Sequence, residues 1–312
     1  MLPLIERNCP LCMANSFRPL FEKKGFCYGQ CAVCGMVYIN PILDEAGISQ
    51  VYEDYGSSYF TKLEKLEIDF ASNRFERELR ILRGVSGRLL DVGCATGSFL
   101  VVAKQAGFTN VMGIDIASRS VEYARRIGLT ACVGDFTQSI FLEESFDVVT
   151  MWATLEHLAD PRRFILEAYR VLVPGGFLCV SVPNKESLTQ MILGKKDRYV
   201  GSDHLNYFDE KTVRQLLQSG GFTVERVETR GINPIVILGD LRSVPVNIER
   251  QIHDGKRTLA IKSRRSLGLL RYVHRIVDET LHLLRRGDLL LVRARKPFAE
   301  TDFFVTPVSM TQ

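Results

Sequence analysis

The sequence predicts an α/β fold in which helices cover a mostly parallel, seven-stranded sheet. Short apolar runs alternate with helical patterns from residue 88 to residue 296, and this alternation builds parallel sheets with right-handed crossovers. The clearest unit is the segment 88–100, where an apolar run passes through a glycine turn into apolar residues at helical spacing. Two Cys-x-x-Cys pairs near the N terminus predict a small additional metal lobe.

Length and composition indicate a globular chain with an accessory lobe. The chain has 312 residues and a formal net charge of +4, well short of the basic balance that would indicate a nucleic-acid partner. No apolar run reaches the roughly 18 residues of a membrane span, and the first residues lack the pattern of a signal peptide. We therefore expect a cytoplasmic location, in which the eight cysteines are metal ligands or core residues rather than disulfides.

Four of those cysteines form the two pairs, Cys9 with Cys12 and Cys31 with Cys34, and 18 residues separate the pairs. This pattern predicts a tetrahedral zinc site, and four thiolates leave no open position for catalysis. We therefore predict a structural zinc ribbon over residues 1–40, stabilised by its metal because so short a segment buries little core. A redox Cys-x-x-Cys is the alternative for either pair taken alone. Cys27 falls outside the pattern.

Residues 41–87 connect this lobe to the core. An aromatic cluster within them predicts either a packing seam or a flap over a ligand, and it comprises Tyr52, Tyr55, Tyr59 and Phe60. The segment 63–82 has the apolar spacing of an amphipathic helix.

The predicted core runs from residue 88 to residue 231. Strands are expected at 88–92, 111–116, 131–136, 146–152, 177–182 and 222–229, and helices at 118–127, 161–172 and 209–219. The helix at 118–127 is expected to begin with Ser118 as its cap and to end at Gly128. Residues 232–286 form a basic helical insertion, and residues 287–312 supply the last strand and a tail.

The turn after the first strand predicts a ligand site at the carboxyl edge of the sheet. Asp91 precedes the turn 93–97, which matches neither the phosphate loop nor the Gly-x-Gly-x-x-Gly fingerprint. An acid at that position suits a ligand with an ammonium group and no pyrophosphate. Asp115 ends the second strand about 20 residues further on, where an acid typically holds ribose hydroxyls. Asp135 and Phe136 end the third strand and offer an acceptor and an apolar face for adenine.

Together these residues resemble the S-adenosylmethionine (SAM) site of the class I methyltransferases. The first motif of that family is Asp/Glu-x-Gly-x-Gly-x-Gly, and Ala95 stands here in place of the middle glycine. The resemblance covers roughly residues 63–296 and implies a Rossmann-like sheet with SAM as the cofactor. The implied cofactor contacts are Asp91, Gly93, Cys94, Gly97, Asp115, Ile116, Asp135, Phe136 and Met151.

The methyl acceptor is expected above the ends of the fourth and fifth strands. The segment 151–157 lacks the Asp/Asn-Pro-Pro-aromatic motif of methyltransferases that act on exocyclic base nitrogens, which disfavours that reaction. Cys132 and Cys179 fall on strands expected to be buried, so neither is a candidate nucleophile. Lysine and arginine residues before residue 204 suit a phosphate or carboxylate on the acceptor, or form a solvated loop: Lys195, Lys196 and Arg198.

Three residues are candidates for catalysis. His204 lies in a segment that resembles the His-Leu-x-x-Phe of small-molecule methyltransferases, and Glu156 and His157 follow the fourth strand. A neutral imidazole suits proton removal from a hydroxyl or an acidic carbon. A purely structural role is the alternative for each histidine.

The zinc ribbon and this core together resemble sugar-modifying methyltransferases, although sugar C-methyltransferases typically carry a further C-terminal domain. We predict methyl transfer to an oxygen or carbon of a small or carrier-linked acceptor of sugar, lipid or polyketide type. The insertion 232–286 is either a lid or a surface for an anionic membrane. The alternatives are an RNA methyltransferase, whose affinity would fall with salt, and a SAM-binding docking protein without catalysis.

Overall fold

The computed structural model describes residues 3–44, 46–48, 50, 67–68, 70, 75–138, 140–201, 203–232, 234–242, 248–263 and 268–298. The aromatic cluster 52–60, most of the part of the predicted helix 63–82 that precedes residue 75, and the tail from residue 299 lie outside the described residues. Numbered along the described chain, the strands are β1 (Leu4–Ile5), β2 (Phe17–Lys23), β3 (Phe26–Cys31), β4 (Val37–Ile39), β5 (Ile42–Leu43), β6 (Arg88–Val92), β7 (Asn110–Asp115), β8 (Ala131–Val133), β9 (Phe146–Trp152), β10 (Leu172–Pro183), β11 (Asn206–Tyr207), β12 (Thr223–Arg230) and β13 (Leu289–Arg295). The helices are α1 (Glu76–Ile81), α2 (Ser98–Gln105), α3 (Ser118–Arg126), α4 (Pro161–Val171), α5 (Leu188–Leu193), α6 (Glu210–Ser219), α7 (Pro234–Leu241), α8 (Ile248–Ser263) and α9 (Gly268–Leu283).

The central sheet has seven strands in the order β12-β13-β10-β9-β6-β7-β8. The five strands from β10 to β8 in that order are parallel, whereas β13 is antiparallel to both of its neighbours. Alternate residues of the inner strands enter two apolar clusters, with Leu90 and Val149 in one and Leu89 and Val148 in the other. Strands buried on both faces read as continuous apolar runs, which is why the sequence predicts this sheet well.

The N-terminal lobe contains a second, antiparallel sheet whose outermost strand comes from the core. Its order is β11-β4-β3-β2, and Asn206 and Tyr207 pair with Tyr38 and Val37. The short strands β1 and β5 pair with each other beside it. The predicted lobe of residues 1–40 is therefore joined to the segment that follows His204, and the predicted domain boundaries remain predictions.

Helix α3 begins differently from the prediction. Its N-cap residue is Ala117 rather than Ser118, and no side chain of the cap itself accepts a hydrogen bond. Asp115 Oδ1 instead accepts the N–H of Ala117 at 2.8 Å. The end at Gly128 is as predicted, because this glycine has φ +82°, a conformation that glycine tolerates best.

In the part of the insertion that the structure describes, three helices, α7 to α9, are ion-paired to the core. Arg198 contacts Asp240 and Asp254 at 3.2 and 3.1 Å, and Arg230 contacts Glu279 at 2.9 Å. The interpretation of Arg198 as part of a solvated or ligand-binding loop is therefore wrong, since its guanidinium holds the insertion. No helix within the described residues is both long and apolar enough to cross a membrane.

Candidate active site

The turn between β6 and α2 has the backbone of a ligand-binding loop. Gly93, Ala95 and Gly97 have φ angles of +77°, +46° and +80°, all in the left-handed region that glycine adopts most easily. A Cβ added at Gly97 would lie 2.3 Å from the Leu129 side chain, so any other residue would have to displace it. The N–H groups of Gly93 and Cys94 both donate to Ile114 O, at 2.8 and 3.1 Å, which holds the turn against β7.

Asp115 lies at the end of β7 and holds the turn. Its Oδ2 accepts the N–H of Ala95 at 2.8 Å, in addition to the Ala117 bond from Oδ1. Burial raises the pKa of this carboxyl, while the backbone donors lower it. The next residue, Ile116, is 50% exposed, which provides an apolar surface beside the acid. Both predicted contacts therefore lie at the carboxyl edge of the sheet.

Asp91 is the penultimate residue of β6 and is in register with Thr150 on β9. Its Oδ1 accepts a hydrogen bond from Thr150 Oγ1 at 2.7 Å. Burial raises the pKa of Asp91 to about 7, because a buried carboxylate has lost its hydration. A cationic group bound beside this carboxylate would compensate for the lost hydration.

Two predicted cofactor contacts are core side chains. Phe136 is 2% exposed and packs against Phe141 and Phe164, and Met151 is fully buried in the same apolar cluster. Neither presents a surface to a ligand in this conformation, because each belongs to the packed side of the sheet. Asp135 accepts hydrogen bonds from Thr137 N and Oγ1 at 2.8 and 2.9 Å.

Glu156, His157 and His204 come together at the carboxyl end of β9. A ligand atom of each lies within 4.8 Å of the others, and we call the three the Glu-His-His cluster. The two imidazole rings meet edge to face with their centroids 4.6 Å apart. Leu205 N donates to Glu156 O at 2.7 Å, which joins the two segments that carry the cluster.

The protonation of each member of the cluster follows from its surroundings. His157 Nδ1 lies 2.7 Å from Asp203 O. A carbonyl can only accept, so Nδ1 carries the proton and Nε2 the lone pair. Burial and the nearby His157 lower the pKa of His204 to about 4. Burial raises the pKa of Glu156 to about 7, and this residue is only 1% exposed.

Arg7 of the N-terminal lobe binds the segments around this cluster. Its guanidinium donates to Ile39 O at 3.2 Å, Ala159 O at 2.8 Å and Leu205 O at 2.7 Å. It also donates to Asn206 Oδ1 at 3.1 Å. One half-buried side chain therefore joins β4, the turn after β9 and β11.

The four cysteines of the N-terminal lobe form a compact group. The Sγ atoms of Cys9 and Cys34 are 3.5 Å apart, as are those of Cys12 and Cys31, and all four lie within 4.8 Å of one another. Tetrahedral thiolates on zinc are about 3.8 Å apart, given a Zn–S bond of about 2.3 Å. The group therefore fits a tetrahedral zinc ion. Cys27 lies on β3 outside it.

The sequence left several site residues unidentified: Arg7, Thr150, Tyr199 and Asn206. Thr150 had a signal, since it is a polar residue inside an apolar strand. Tyr199, whose ring stacks on His204 at 5.7 Å, and Arg7 belong to no motif. Their roles depend on contacts between residues separated in the sequence, by 5 positions for Tyr199 and His204 and by 199 for Arg7 and Asn206.

Comparisons with known proteins agree with this geometry. A family model described as a methyltransferase domain matches residues 65–227, which is half of the chain. A SAM-dependent methyltransferase of Thermotoga maritima with 20% identity superposes with a TM-score of 0.52, over 80% of this chain and 99% of its own.

Relatives with named activities match shorter stretches. The ubiquinone biosynthesis O-methyltransferase of Bordetella avium is 34% identical over 31% of this chain and 43% of its own length. The 2-methyl-6-phytyl-1,4-hydroquinone methyltransferase of Synechocystis is 36% identical over 41% of this chain and 38% of its own. The chain therefore spans about two fifths of the length of these two relatives.

Proposed function

The chain belongs to the methyltransferase domain family, and from that premise we propose that it methylates an oxygen or carbon of a small or carrier-linked acceptor. The observation that carries this proposal is the position of the Glu-His-His cluster. Asp91 and Thr150 are in register on β6 and β9, and the cluster begins six residues after Thr150 at the same sheet edge. A cofactor held by Asp91 and Asp115 would therefore lie beside a candidate base.

SAM supplies the methyl group, and the new bond to the acceptor forms as the carbon–sulfur bond of the sulfonium breaks. The residues of this chain orient the reactants, which is the main contribution an enzyme makes to such a displacement. In this proposal Asp91 binds the ammonium group and Asp115 the ribose hydroxyls. Gly93 and Gly97 let the backbone approach the cofactor closely.

We propose His157 as the group that takes the acceptor's proton. Its tautomer leaves the lone pair on Nε2, as a base requires, because Nδ1 donates to Asp203 O. His204 is 9% exposed, and we give it the role of packing against the His157 ring. A hydroxyl or an acidic C–H of the acceptor supplies such a proton. The names of the two relatives refer to ubiquinone and to a hydroquinone.

We further propose that the four-cysteine group holds a structural zinc ion. Four thiols at this spacing can all bind one tetrahedral ion, and they leave no coordination position for a substrate, as expected of a structural site. The ion would stabilise the lobe that supplies Arg7 and β4 to the acceptor side.

Binding calorimetry with SAM and its demethylated product tests the cofactor half of the proposal. Asp115→Ala removes two acceptor oxygens from the ribose side, so we expect affinity to fall at least about 100-fold, since each charged hydrogen bond contributes roughly 1.5–3 kcal/mol. Asp147→Ala is the matched control, because Asp147 pairs with Arg88 at 3.0 Å near the opposite edge of the sheet. Absence of SAM binding by the folded protein would contradict the proposal.

A turnover assay with a demethylated quinol and with a nucleotide-activated sugar tests the acceptor half. We expect methylation of one of the two classes, lost in His157→Gln with SAM affinity retained. SAM binding together with methylation of RNA alone, weakened steeply by salt, would contradict the small-acceptor assignment.

A further inference from the structure

The Glu-His-His cluster has the composition of a metal site. Two imidazoles and one carboxylate suit first-row divalent cations, whereas calcium and magnesium prefer sets made only of oxygen ligands. Within the described residues, three or more His, Cys, Asp or Glu side chains meet at metal-binding separation in just one other place, the four-cysteine group.

The carboxylate of this cluster is buried and under-used. Glu156 is 1% exposed, and its Oε2 has no hydrogen-bond partner among the described residues. Buried carboxylate oxygens nearly always have a donor or a cation beside them, because an unsatisfied one costs free energy. A cation among the three side chains would satisfy this oxygen.

The His157 imidazole is oriented as a metal ligand usually is. His157 donates its Nδ1 proton to Asp203 O. A metal-bound histidine typically donates its second nitrogen to a carbonyl or carboxylate, which fixes the tautomer and directs the other lone pair at the ion. The stacking of Tyr199 on His204 restricts that ring.

We propose that Glu156, His157 and His204 bind a first-row divalent cation such as Co²⁺, Ni²⁺ or Zn²⁺. Metal–nitrogen bonds are about 2.0–2.1 Å long, whereas the ligand atoms lie up to 4.8 Å from one another. The three side chains must therefore move closer together to bind one ion.

The cation has a consequence for the reaction, and this second step rests on the proposed function. His157 Nε2 has one lone pair, which can go to a metal or to the acceptor's proton but not to both. The cation-loaded protein therefore lacks its base, and the cation acts as an inhibitor of methyl transfer.

Calorimetric titration of the zinc-loaded protein with Co²⁺ tests the site without any acceptor. We expect one Co²⁺ equivalent beyond the zinc content, and binding at least about tenfold weaker in Glu156→Gln and in His204→Ala. Glu156→Gln keeps the shape of the side chain, so it guards against loss of folding. The matched control is His253→Ala, because this exposed histidine lies next to Asp254 on α8 and is outside the cluster.

Chemical modification supplies a second readout. Diethylpyrocarbonate reacts with unprotonated imidazole nitrogen, so Co²⁺ should slow the modification of His157, followed by mass spectrometry, and leave that of His253 unchanged. The inference is overturned if no additional Co²⁺ binds, if the cluster variants bind it like the wild type, or if His157 is not protected.

SAM calorimetry on the same samples separates the two proposals. Retained SAM binding without Co²⁺ binding contradicts the metal site alone. Co²⁺ binding without SAM binding contradicts the proposed function alone. Undiminished turnover of a Co²⁺-loaded enzyme overturns the inhibitory role.

Discussion

The two halves of the candidate site are built in different ways. The cofactor half, residues 88–138, is made of consecutive strand–turn–helix units, and its key contact, Ala95 N to Asp115, joins residues 20 apart. The acceptor half combines the turn 155–159, the segment 203–207 and the N-terminal lobe, and Arg7 reaches across 152 residues to Ala159 and 199 to Asn206. The first half depends on local sequence and the second on tertiary packing, so they should fail independently.

Loss of the metal from the N-terminal lobe should have the largest effect, because it should disrupt the acceptor half and leave the cofactor half intact. Structural zinc in such lobes contributes about 10–16 kcal/mol of folding free energy, so Cys31→Ser or chelation should unfold the lobe and release β11. We expect acceptor turnover to disappear while SAM binding by calorimetry stays within a few fold. Cys27→Ser is the control. Equal loss of SAM binding would show that the halves fold as one unit.

Arg7→Met should give the next largest effect. The change removes four hydrogen bonds of the guanidinium, three of them partly buried, and we expect a loss of about 3 kcal/mol in unfolding free energy, since each such bond contributes about 0.5–1.5 kcal/mol. Denaturant unfolding measures this loss, and histidine NMR should show changed surroundings for His157 and His204. Arg18→Met is the control, since Arg18 is exposed on β2. A fall in stability of less than about 1 kcal/mol would show that Arg7 does not hold the acceptor half together.

The pH dependence of SAM binding sharpens the description of the cofactor half. Burial raises the pKa of Asp91 to about 7, so the carboxylate that binds the ammonium group is lost as the pH falls through 7. We expect SAM affinity to weaken by up to about tenfold per pH unit below 7, and Asp91→Asn to bind weakly with a flat profile. Because the folded-state pKa is raised, ionised Asp91 also lowers the stability of the ligand-free protein as the pH rises from about 4 to 7. An unchanged affinity between pH 5 and pH 8 would contradict this assignment.

Ala95→Gly should have the smallest effect. Ala95 has φ +46°, which costs a residue with a side chain about 1–2 kcal/mol, whereas glycine loses more entropy on folding. We expect a net gain of about 0.5–1 kcal/mol in unfolding free energy, measured by thermal or denaturant unfolding, and unchanged SAM affinity. Ala103→Gly, in the interior of α2, should destabilise instead. A loss of stability in Ala95→Gly would show that the backbone at Ala95 is not strained.

The extent to which the sequence predicted the structure follows the same division. The strand–turn–helix unit at residues 88–100 and the acid at Asp115 were predictable because their apolar patterns and glycine spacing are local. The resemblance assigned Phe136 and Met151 to the cofactor, whereas packing placed both side chains in the core. The N-cap of α3 also differed from the prediction, because the Asp115 side chain accepts the N–H of Ala117, two residues further along the chain.

The amino-acid sequence alone determines the α/β class, the succession of strands and helices along the chain, the glycine turn with its acids and the spacing of the four cysteines. These are short-range features in which each residue's role depends on its neighbours in the chain. Tertiary structure alone decides that β11 completes the lobe's sheet, that Arg7 joins three segments and that Glu156, His157 and His204 meet. Those relations depend on contacts between distant segments, which become defined only once the sheet has brought the segments together.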